Sequence, residues 1–300
     1  MKSINFVLLG DSSIGIELGK KGASTDMTFY ERKSSDKIFS FIAPTGFPEK
    51  IQPLVQAIAL TEYAIVNVTK IDKALGEQIV ALDSMGQERG FIIPNGFEDD
   101  IRKIIKSTVL EKYEFVTLDE MKQKVETIEP ASLEGPVKII TDACFEVKGV
   151  GTVALGVVRR GTVKKHDEME LFPQKKIVTV RSIQMHDNDV DATNSPGRVG
   201  IALKGTDAAE IPRGEIIATK GSMIVGKEIK MKFEKSRFYK DEMVPSSGYH
   251  LCIGLQIKPV RFDGSSAVAD RPFAYDAGER CLVLDLNTDS VRVVGSGTVL

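Results

Sequence analysis

The sequence changes character near residue 127, and this change limits the possible folds more than any other feature. Before it, apolar strand-like runs alternate with segments of helical periodicity. After it, short strand-like runs follow one another between glycine turns, and a softer break lies at Ala218–Glu228. Strands that alternate with helices form mainly parallel sheets, whereas short, evenly spaced strands form antiparallel barrels. The sequence therefore predicts a multi-domain chain, with an α/β domain followed by two antiparallel β-barrels.

The elements of the first domain can be assigned to residues. Strands are predicted at Ile4–Leu9, Lys37–Ile42, Tyr63–Val68, Gly90–Ile93 and Tyr113–Leu118. Helices are predicted at Glu49–Leu60, Lys73–Met85, Asp99–Leu110 and Asp119–Glu126. The segment Thr127–Pro136, TIEPASLEGP, is a linker by its Pro, Gly and Ser content. We therefore place the three domains at residues 1–127, 137–222 and 228–300.

The composition is that of an ordinary globular protein. Apolar residues make up 42% and charged residues 27% of the 300 residues, and no apolar run approaches the length of a membrane span. Gly10 and Asp11 interrupt the N-terminal apolar run too early for a signal peptide, so we expect a cytoplasmic protein with no membrane partner. The three cysteines and three histidines are scattered, so no metal site is predicted. With a net charge of −2, any nucleic acid must be bound by a local basic patch.

The first strand is followed by a loop that has only part of a phosphate-binding motif. Gly10 and Gly15 have the spacing of G-x-x-x-x-G-K-[ST], in which Lys reaches the phosphates and the hydroxyl binds Mg²⁺. The next two residues are instead Ile16 and Glu17, an apolar side chain and an acidic one. The pattern indicates either a chance pair of glycines or a nucleotide site that has lost its chemistry.

The order of domains and two long strings in the second domain carry a family resemblance. The strings are DACFEVKGVGTVALGVVRRGTV, Asp142–Val163, and VRSIQMHDNDVDATNSPGRVGIALKG, Val180–Gly205. With them, the chain resembles the translational GTPases of the elongation factor Tu type, and above all their archaeal selenocysteine-specific members. The resemblance implies a P-loop-like G domain and two barrels. We expect no counterpart of the additional C-terminal domain of the selenocysteine factors.

Matched to the motifs of these GTPases, the first domain is degenerate. FIAPTGFPEKI stands where the family has F-I-D-T-P-G-H, so Ala43 replaces the Asp, Gly46 remains and Phe47 replaces the water-orienting His. In the segment FIIPNGFED, which stands in place of N-K-x-D, the guanine-reading residues are represented by Asn95, Gly96 and Glu98. Each lost charge-assisted hydrogen bond costs about 1.5–3 kcal/mol, so several losses weaken binding by powers of ten. We predict a vestigial nucleotide site, without cofactor or GTPase activity, in which Ile16 and Phe47 fill the space of the ligand.

The resemblance also indicates where tRNA could bind. Asp142 matches the Asp that faces the esterified amino acid in selenocysteine factors, although its basic neighbour is Ala143 here. Basic residues that could meet tRNA phosphates follow in the same barrel: Lys148, Arg159, Arg160, Arg181 and Arg198. The alternative for each is a solvated charge on a strand edge or turn.

Three functional hypotheses follow. The first is a catalytically inactive elongation factor-like protein that binds tRNA or a ribosome-associated component without a GTP switch. The second is a regulatory or scaffold protein that holds a protein partner through its inter-domain surface, near Thr25–Tyr30. The third is an elongation factor that binds GTP in an altered site. The sequence indicates no oligomeric state.

Overall fold

The α/β domain is built on a seven-stranded sheet. In the computed structural model, which describes residues 2–244 and 248–300, its strand order is β2-β3-β4-β1-β5-β6-β7. The strands are β1 Lys2–Gly10, β2 Lys20–Ser24, β3 Thr28–Ser34, β4 Lys37–Ala43, β5 Tyr63–Asn67, β6 Gly90–Ile93 and β7 Glu114–Phe115. From β4 to β7 the pairing is parallel, whereas β2 and β3 are antiparallel to their neighbours. β1 is buried from Ser3 to Leu9, as expected for a central strand covered on both faces.

Five helices accompany this sheet, and local signals fix their ends. They are α1 Gly15–Leu18, α2 Gln52–Ala59, α3 Lys73–Met85, α4 Glu98–Ile104 and α5 Leu118–Thr127. Asp72 caps the N-terminus of α3 by accepting from the Leu75 N–H, and Gly86, with φ +67°, ends the helix in the left-handed conformation. The predicted helix Asp99–Leu110 is divided, because Ser107 adopts a φ of +62° and a short 3-10 turn then follows at Val109–Lys112.

The second domain is a closed barrel, which we call the first barrel. Its strands are β8 Lys138–Val147, β9 Gly151–Arg160, β10 Thr162–Lys164, β11 Glu168–Phe172, β12 Lys176–Met185, β13 Asn188–Val190, β14 Ala192–Asn194, β15 Arg198–Lys204 and β16 Ile216–Ala218. The order β11-β16-β8-β9-β15-β12 closes through the antiparallel pairing of β11 with β12. Strand β13 extends the sheet beyond β12, and β10 pairs separately with β14.

The third domain is a closed six-stranded barrel, which we call the second barrel. Its strands are β17 Ile224–Lys235, β18 Tyr249–Ile253, β19 Gln256–Phe262, β20 Ser266–Tyr275, β21 Arg280–Leu284 and β22 Val293–Val299, in the order β17-β20-β19-β18-β21-β22. One hydrophobic cluster runs through all three domains and includes Ile58, Ile140, Leu255 and Leu282. The predicted architecture, an α/β domain followed by two barrels, is confirmed, and the three domains share buried surface.

Candidate functional site: the loop after β1 and the domain junction

The loop after β1 uses its own backbone donors internally. The Gly10 N–H donates to the side-chain oxygen of Gln78 at 2.9 Å, and the Asp11 N–H donates to the Asn67 carbonyl at 2.8 Å. The carboxylate of Asp11 in turn accepts from the Ser13 N–H at 3.0 Å. Gly10 has a φ of +69°, and a Cβ there would lie 2.1 Å from the Asn67 carbonyl oxygen. In a phosphate-binding loop, backbone N–H groups point at the ligand, whereas these three already have protein acceptors.

The two residues in place of Lys and Ser/Thr lie on the outer side of α1. This helix has only four residues, and it buries Gly15 and Leu18, which are three positions apart and share one face. Ile16 therefore projects into solvent and is 71% exposed, so the expectation that it fills the ligand's space is wrong. Glu17 forms an ion pair with Lys122 of α5 at 2.8 Å. A Cβ on Gly15 would meet the Tyr30 ring at 2.5 Å, so this glycine is explained by packing.

The segment after β4 is packed against neighbouring domains and loops. Ala43 is fully buried at the end of the strand. The Gly46 N–H donates to the Asp26 carbonyl at 2.7 Å, and a Cβ at position 46 would lie 3.0 Å from the Asp26 side chain. Phe47 is 9% exposed, within the shared core, and the guanidinium of Arg292 lies 5.7 Å from its ring centroid. Phe47 thus fills space at this position.

The residues in place of the guanine-reading motif are engaged locally. The side-chain amide of Asn95 donates to the side-chain oxygen of Asn67 at 2.8 Å and to the Val68 carbonyl at 3.1 Å, which ties the end of β6 to β5. Glu98 pairs with Arg102 on the exposed face of α4 at 2.7 Å. Gly96 has a φ of +92° and no atom near its Cβ position, so only its backbone conformation favours glycine.

A cavity of about 320 Å³ remains beside this loop, and its lining includes Gly10, Phe47, Thr69 and Lys70. Lys70 is exposed and pairs with Asp72 at 2.7 Å, and that hydrogen bond lowers the pKa of the Asp72 carboxyl. A phosphate would thus compete with Asp72 for this lysine.

Two of the residues predicted to bind tRNA form a buried ion pair. Arg198 donates through both terminal nitrogens to the carboxylate of Asp142, and the two residues are 9% and 4% exposed. The guanidinium of Arg198 also lies over the Phe29 ring, 4.6 Å from its centroid. This pair joins barrel strands β8 and β15 to β3 of the α/β domain.

The adjacent Arg159 and Arg160 also connect domains. Arg159 donates to Glu62 of the α/β domain at 2.6 Å, and Arg160 donates to Asp276 of the second barrel at 3.1 Å. Burial raises the pKa of Glu62 although Arg159 bonds its carboxylate. These two arginines are therefore engaged with acidic protein partners.

The remaining two basic residues lie on one exposed surface of the first barrel. Lys148 is exposed in the turn between β8 and β9, and the exposed Arg181 donates to the Val150 carbonyl at 2.8 Å. Phe145 and Val150 are exposed on the same hairpin, by 43% and 39%. Lys148, Arg181, Phe145 and Val150 together form a surface, the hairpin patch, with both cationic and apolar groups.

A group of side chains that the sequence did not reveal joins all three domains. Arg213, between the barrel strands, donates to both carboxylate oxygens of Asp26 at 2.7 and 2.8 Å and to the side-chain oxygen of Gln56 at 3.1 Å. Gln56 donates in turn to the Leu255 carbonyl of the second barrel at 2.9 Å. Hydrogen bonding from Arg213 lowers the pKa of Asp26 to about 2. Because these residues are far apart in the chain, no local pattern could have revealed the group.

A second missed contact connects α3 with the second barrel. Glu77 is 3% exposed and accepts from the backbone N–H of Arg292 at 2.9 Å and from its guanidinium at 3.0 and 2.5 Å. The same guanidinium donates to the Pro48 and Glu49 carbonyls at 2.9 and 3.3 Å. Arg292 thus fixes the segment after β4 against the second barrel.

Across residues 2–244 and 248–300, none of the helices combines the length and the apolar character needed to span a bilayer. Within the same ranges, no three His, Cys, Asp or Glu residues are grouped so that they could hold a metal ion.

Comparison with known sequences finds relatives over most of the chain. Residues 151–218 match the family model of elongation factor Tu domain 2. An uncharacterized protein of Methanocaldococcus jannaschii is 34% identical over 308 aligned positions, which cover 99% of each protein. The selenocysteine-specific elongation factor of the same organism is 28% identical over 211 positions, which cover 60% of this chain and 45% of the factor.

A solved structure has the same fold. Translation elongation factor SelB of Methanococcus maripaludis, in complex with the GTP analogue GppNHp, superimposes with a TM-score of 0.85 and 22% identity. The match covers 100% of this chain and 79% of SelB. The arrangement of one α/β domain and two barrels is thus that of an elongation factor.

Proposed function

This chain belongs to the elongation factor Tu family of translation factors, and we propose that it is a catalytically inactive member that binds tRNA or another translation component without a GTP switch. One observation supports this above all: the N–H groups of Gly10, Asp11 and Ser13 are bonded within the protein. In an active GTPase, the γ-phosphate and Mg²⁺ order the switch segments. Here, protein contacts hold the segment after β4, since the Gly46 N–H donates to the Asp26 carbonyl and Arg292 donates to the Pro48 and Glu49 carbonyls.

The chemistry of the loop supports the same proposal. Phosphoryl transfer needs a cation at the phosphates, a hydroxyl and a carboxylate at Mg²⁺, and a group that positions water. The residues at the matching positions are Ile16, Glu17, Ala43 and Phe47. Of these, only Glu17 is charged; it is negative, and it pairs with Lys122. We expect no GTP hydrolysis.

Calorimetry tests the absence of nucleotide binding. GTP, GDP and ATP, each with Mg²⁺, are titrated into the full chain, and no dissociation constant tighter than about 1 mM is expected, since several charge-assisted bonds are missing. Micromolar binding of GTP would instead support the hypothesis of an elongation factor with an altered GTP site.

A gel shift with aminoacylated and deacylated tRNA tests the RNA part of the proposal. The hairpin patch is the expected contact, because Lys148 and Arg181 are exposed while Arg159, Arg160 and Arg198 are paired with acidic side chains. Replacing Lys148 and Arg181 with Ala should weaken binding and reduce the salt slope by about one for each lost phosphate contact. Lys230 and Lys232, exposed on β17, provide a matched double-alanine control that should leave binding unchanged. Failure to bind either tRNA at low salt would exclude this part.

A scaffold that holds a protein partner is the second candidate. It is favoured by the edge strand β2, whose five residues are all exposed and which, among the described strands, pairs only with β3. Such an edge can accept a strand of another protein. Ala23→Pro would remove a backbone donor from this edge, so a partner that copurifies despite RNase treatment and is lost in this variant would support the scaffold hypothesis.

A further inference from the structure

The two barrels enclose a cleft that plays no part in the proposed function. Its volume is about 820 Å³, and both barrels contribute to its walls. Four prolines line it, two from each barrel, together with Leu171 and Ile257; the prolines are Pro173, Pro212, Pro259 and Pro272. The size and the apolar walls are those of a small-molecule site.

One oxygen of a buried carboxylate in this cleft lacks a hydrogen-bond partner among the described residues. Glu215 is 8% exposed, and among the described residues nothing bonds its Oε2 atom. Its backbone is fixed, because the Glu215 carbonyl accepts from the Thr141 N–H at 3.1 Å and from the Thr141 hydroxyl at 2.7 Å. A buried acceptor without a donor is costly. A ligand that brings a donor would remove this cost.

The other polar groups of the cleft are mostly satisfied by the protein. Lys176 pairs with Glu210 at 2.5 Å, and Arg213 pairs with Asp26. Lys258 donates to the Pro272 carbonyl at 2.5 Å, and its ammonium lies 4.7 Å from the centroid of the Phe273 ring. Asp270 and Arg271 are exposed and also line the cleft. A hydrogen bond from the Gln174 side chain lowers the pKa of Glu215, so the acceptor that the protein leaves open is the single oxygen Oε2.

We propose that this cleft binds a small molecule that carries a protonated amine on an apolar body, with the amine hydrogen-bonded to Glu215. The apolar body lies against the proline rings and Ile257. An amine fits better than an anion, because an anion in the same position would face the carboxylate. The inference is independent of tRNA or nucleotide binding, since none of the residues discussed for those functions contributes the acceptor.

The protonation of Glu215 gives the proposal a pH dependence. Burial raises the pKa of Glu215 to about 7, while Lys258 and a hydrogen bond from Gln174 oppose this change. The other charged groups that line the cleft are Lys176, Glu210, Arg213, Asp270 and Arg271. Amine binding requires the ionised carboxylate, so affinity should rise roughly tenfold from pH 6 to pH 8.5, the change in the ionised fraction of a group with this pKa.

Two probes of equal size test the inference on the full chain. 2-Phenylethylamine and 2-phenylethanol are titrated at pH 8.5, with binding followed by NMR. The amine should bind saturably and at least tenfold more tightly than the alcohol. Equal affinity of the two probes, or no saturable binding of the amine, would overturn the proposal.

Variants locate the interaction. Glu215→Gln should weaken amine binding at least tenfold and leave alcohol binding unchanged, whereas Glu168→Gln, at an exposed glutamate of the same barrel, should change neither. Unchanged amine binding in Glu215→Gln would refute the assignment. If that variant does not fold, the pH dependence and the alcohol comparison on the natural protein still decide.

Discussion

Asp26 and Arg213 form a two-pronged ion pair, with N···O distances of 2.7 and 2.8 Å, across the boundary between the α/β domain and the first barrel. Asp26 lies two residues before β3, in the segment Thr25–Tyr30. Arg213 also bonds Gln56 of α2, which in turn bonds the second barrel. These side chains therefore hold the α/β domain against both barrels.

Asp26→Asn should destabilise the protein by about 1–2 kcal/mol. It would remove the charge that Arg213 pairs with, and hydrogen bonds between charged groups contribute about 1.5–3 kcal/mol before allowance for solvent. The allowance is needed because the side chain of Asp26 is 36% exposed. Urea unfolding measures the effect. Asp100→Asn, in the exposed pair with Lys103, is the control and should change stability by less than about 0.5 kcal/mol.

The same pair predicts a loss of stability in acid. The folded-state pKa of Asp26, about 2, lies below the ordinary value of 3.8. Its contribution is therefore complete above pH 3.8 and is lost as the pH falls toward 2. The stability difference between the natural protein and Asp26→Asn, measured by urea unfolding at several pH values, should shrink over this interval. A difference that stays constant would contradict the role given to this carboxylate.

Glu77→Gln should be more damaging, at about 3–5 kcal/mol. Glu77 is almost fully buried and accepts three hydrogen bonds from Arg292, so the substitution leaves a partly buried guanidinium without a counter-charge. The contact joins α3 to the second barrel, and a lower unfolding midpoint is expected for that barrel. The comparison is Glu98→Gln, because Glu98 and Arg102 form an exposed ion pair within α4; this substitution should have little effect on stability.

Restoring two motif residues should not restore nucleotide binding. In Ile16→Lys with Glu17→Thr, a cation and a hydroxyl return, but the N–H groups of Gly10 and Asp11 still donate to Gln78 and Asn67. The helix that would carry the new Lys also has only four residues. Calorimetry with GTP and Mg²⁺ should therefore find a dissociation constant no tighter than about 1 mM. Micromolar affinity would show that the loop can rearrange around phosphates.

Elements with strong local signals were predictable, and those defined by distant partners were not. The helix Lys73–Met85 and the strand Gly90–Ile93 have the predicted bounds, because apolar periodicity and clear caps coincide. The strand predicted at Tyr113–Leu118 has only two residues, since Thr117 and Glu120 form a capping box that starts α5. Strand β2 was not predicted, because its exposed residues show no apolar alternation.

The degenerate motifs were visible in the sequence, but the hydrogen-bond and ion-pair partners of the candidate site residues were not. Ile16 and Glu17 stand out from the glycine spacing alone. Gln78 accepts from the Gly10 N–H across 68 positions of the chain, and Asp142 pairs with Arg198 across 56 positions. Neither contact can be inferred from a local sequence pattern. Basic residues near a barrel turn therefore look alike in sequence, whether they are exposed like Lys148 or buried.

For Glu215 we expect a pH dependence of stability opposite in sign to that of Asp26. Its pKa is raised by burial from 4.5 to about 7, so the folded state holds a proton that the unfolded state releases. The resulting stability is complete below pH 4.5 and is lost as the pH rises through 7, by up to about 3 kcal/mol. Glu215→Gln, whose amide does not titrate, should lose less stability than the natural protein between pH 5 and pH 8 in urea unfolding. Glu168→Gln should follow the natural protein, since Glu168 is exposed. Parallel curves for the natural protein and Glu215→Gln would show that this carboxyl is ionised throughout, and would also remove the basis for pH-dependent amine binding in the cleft.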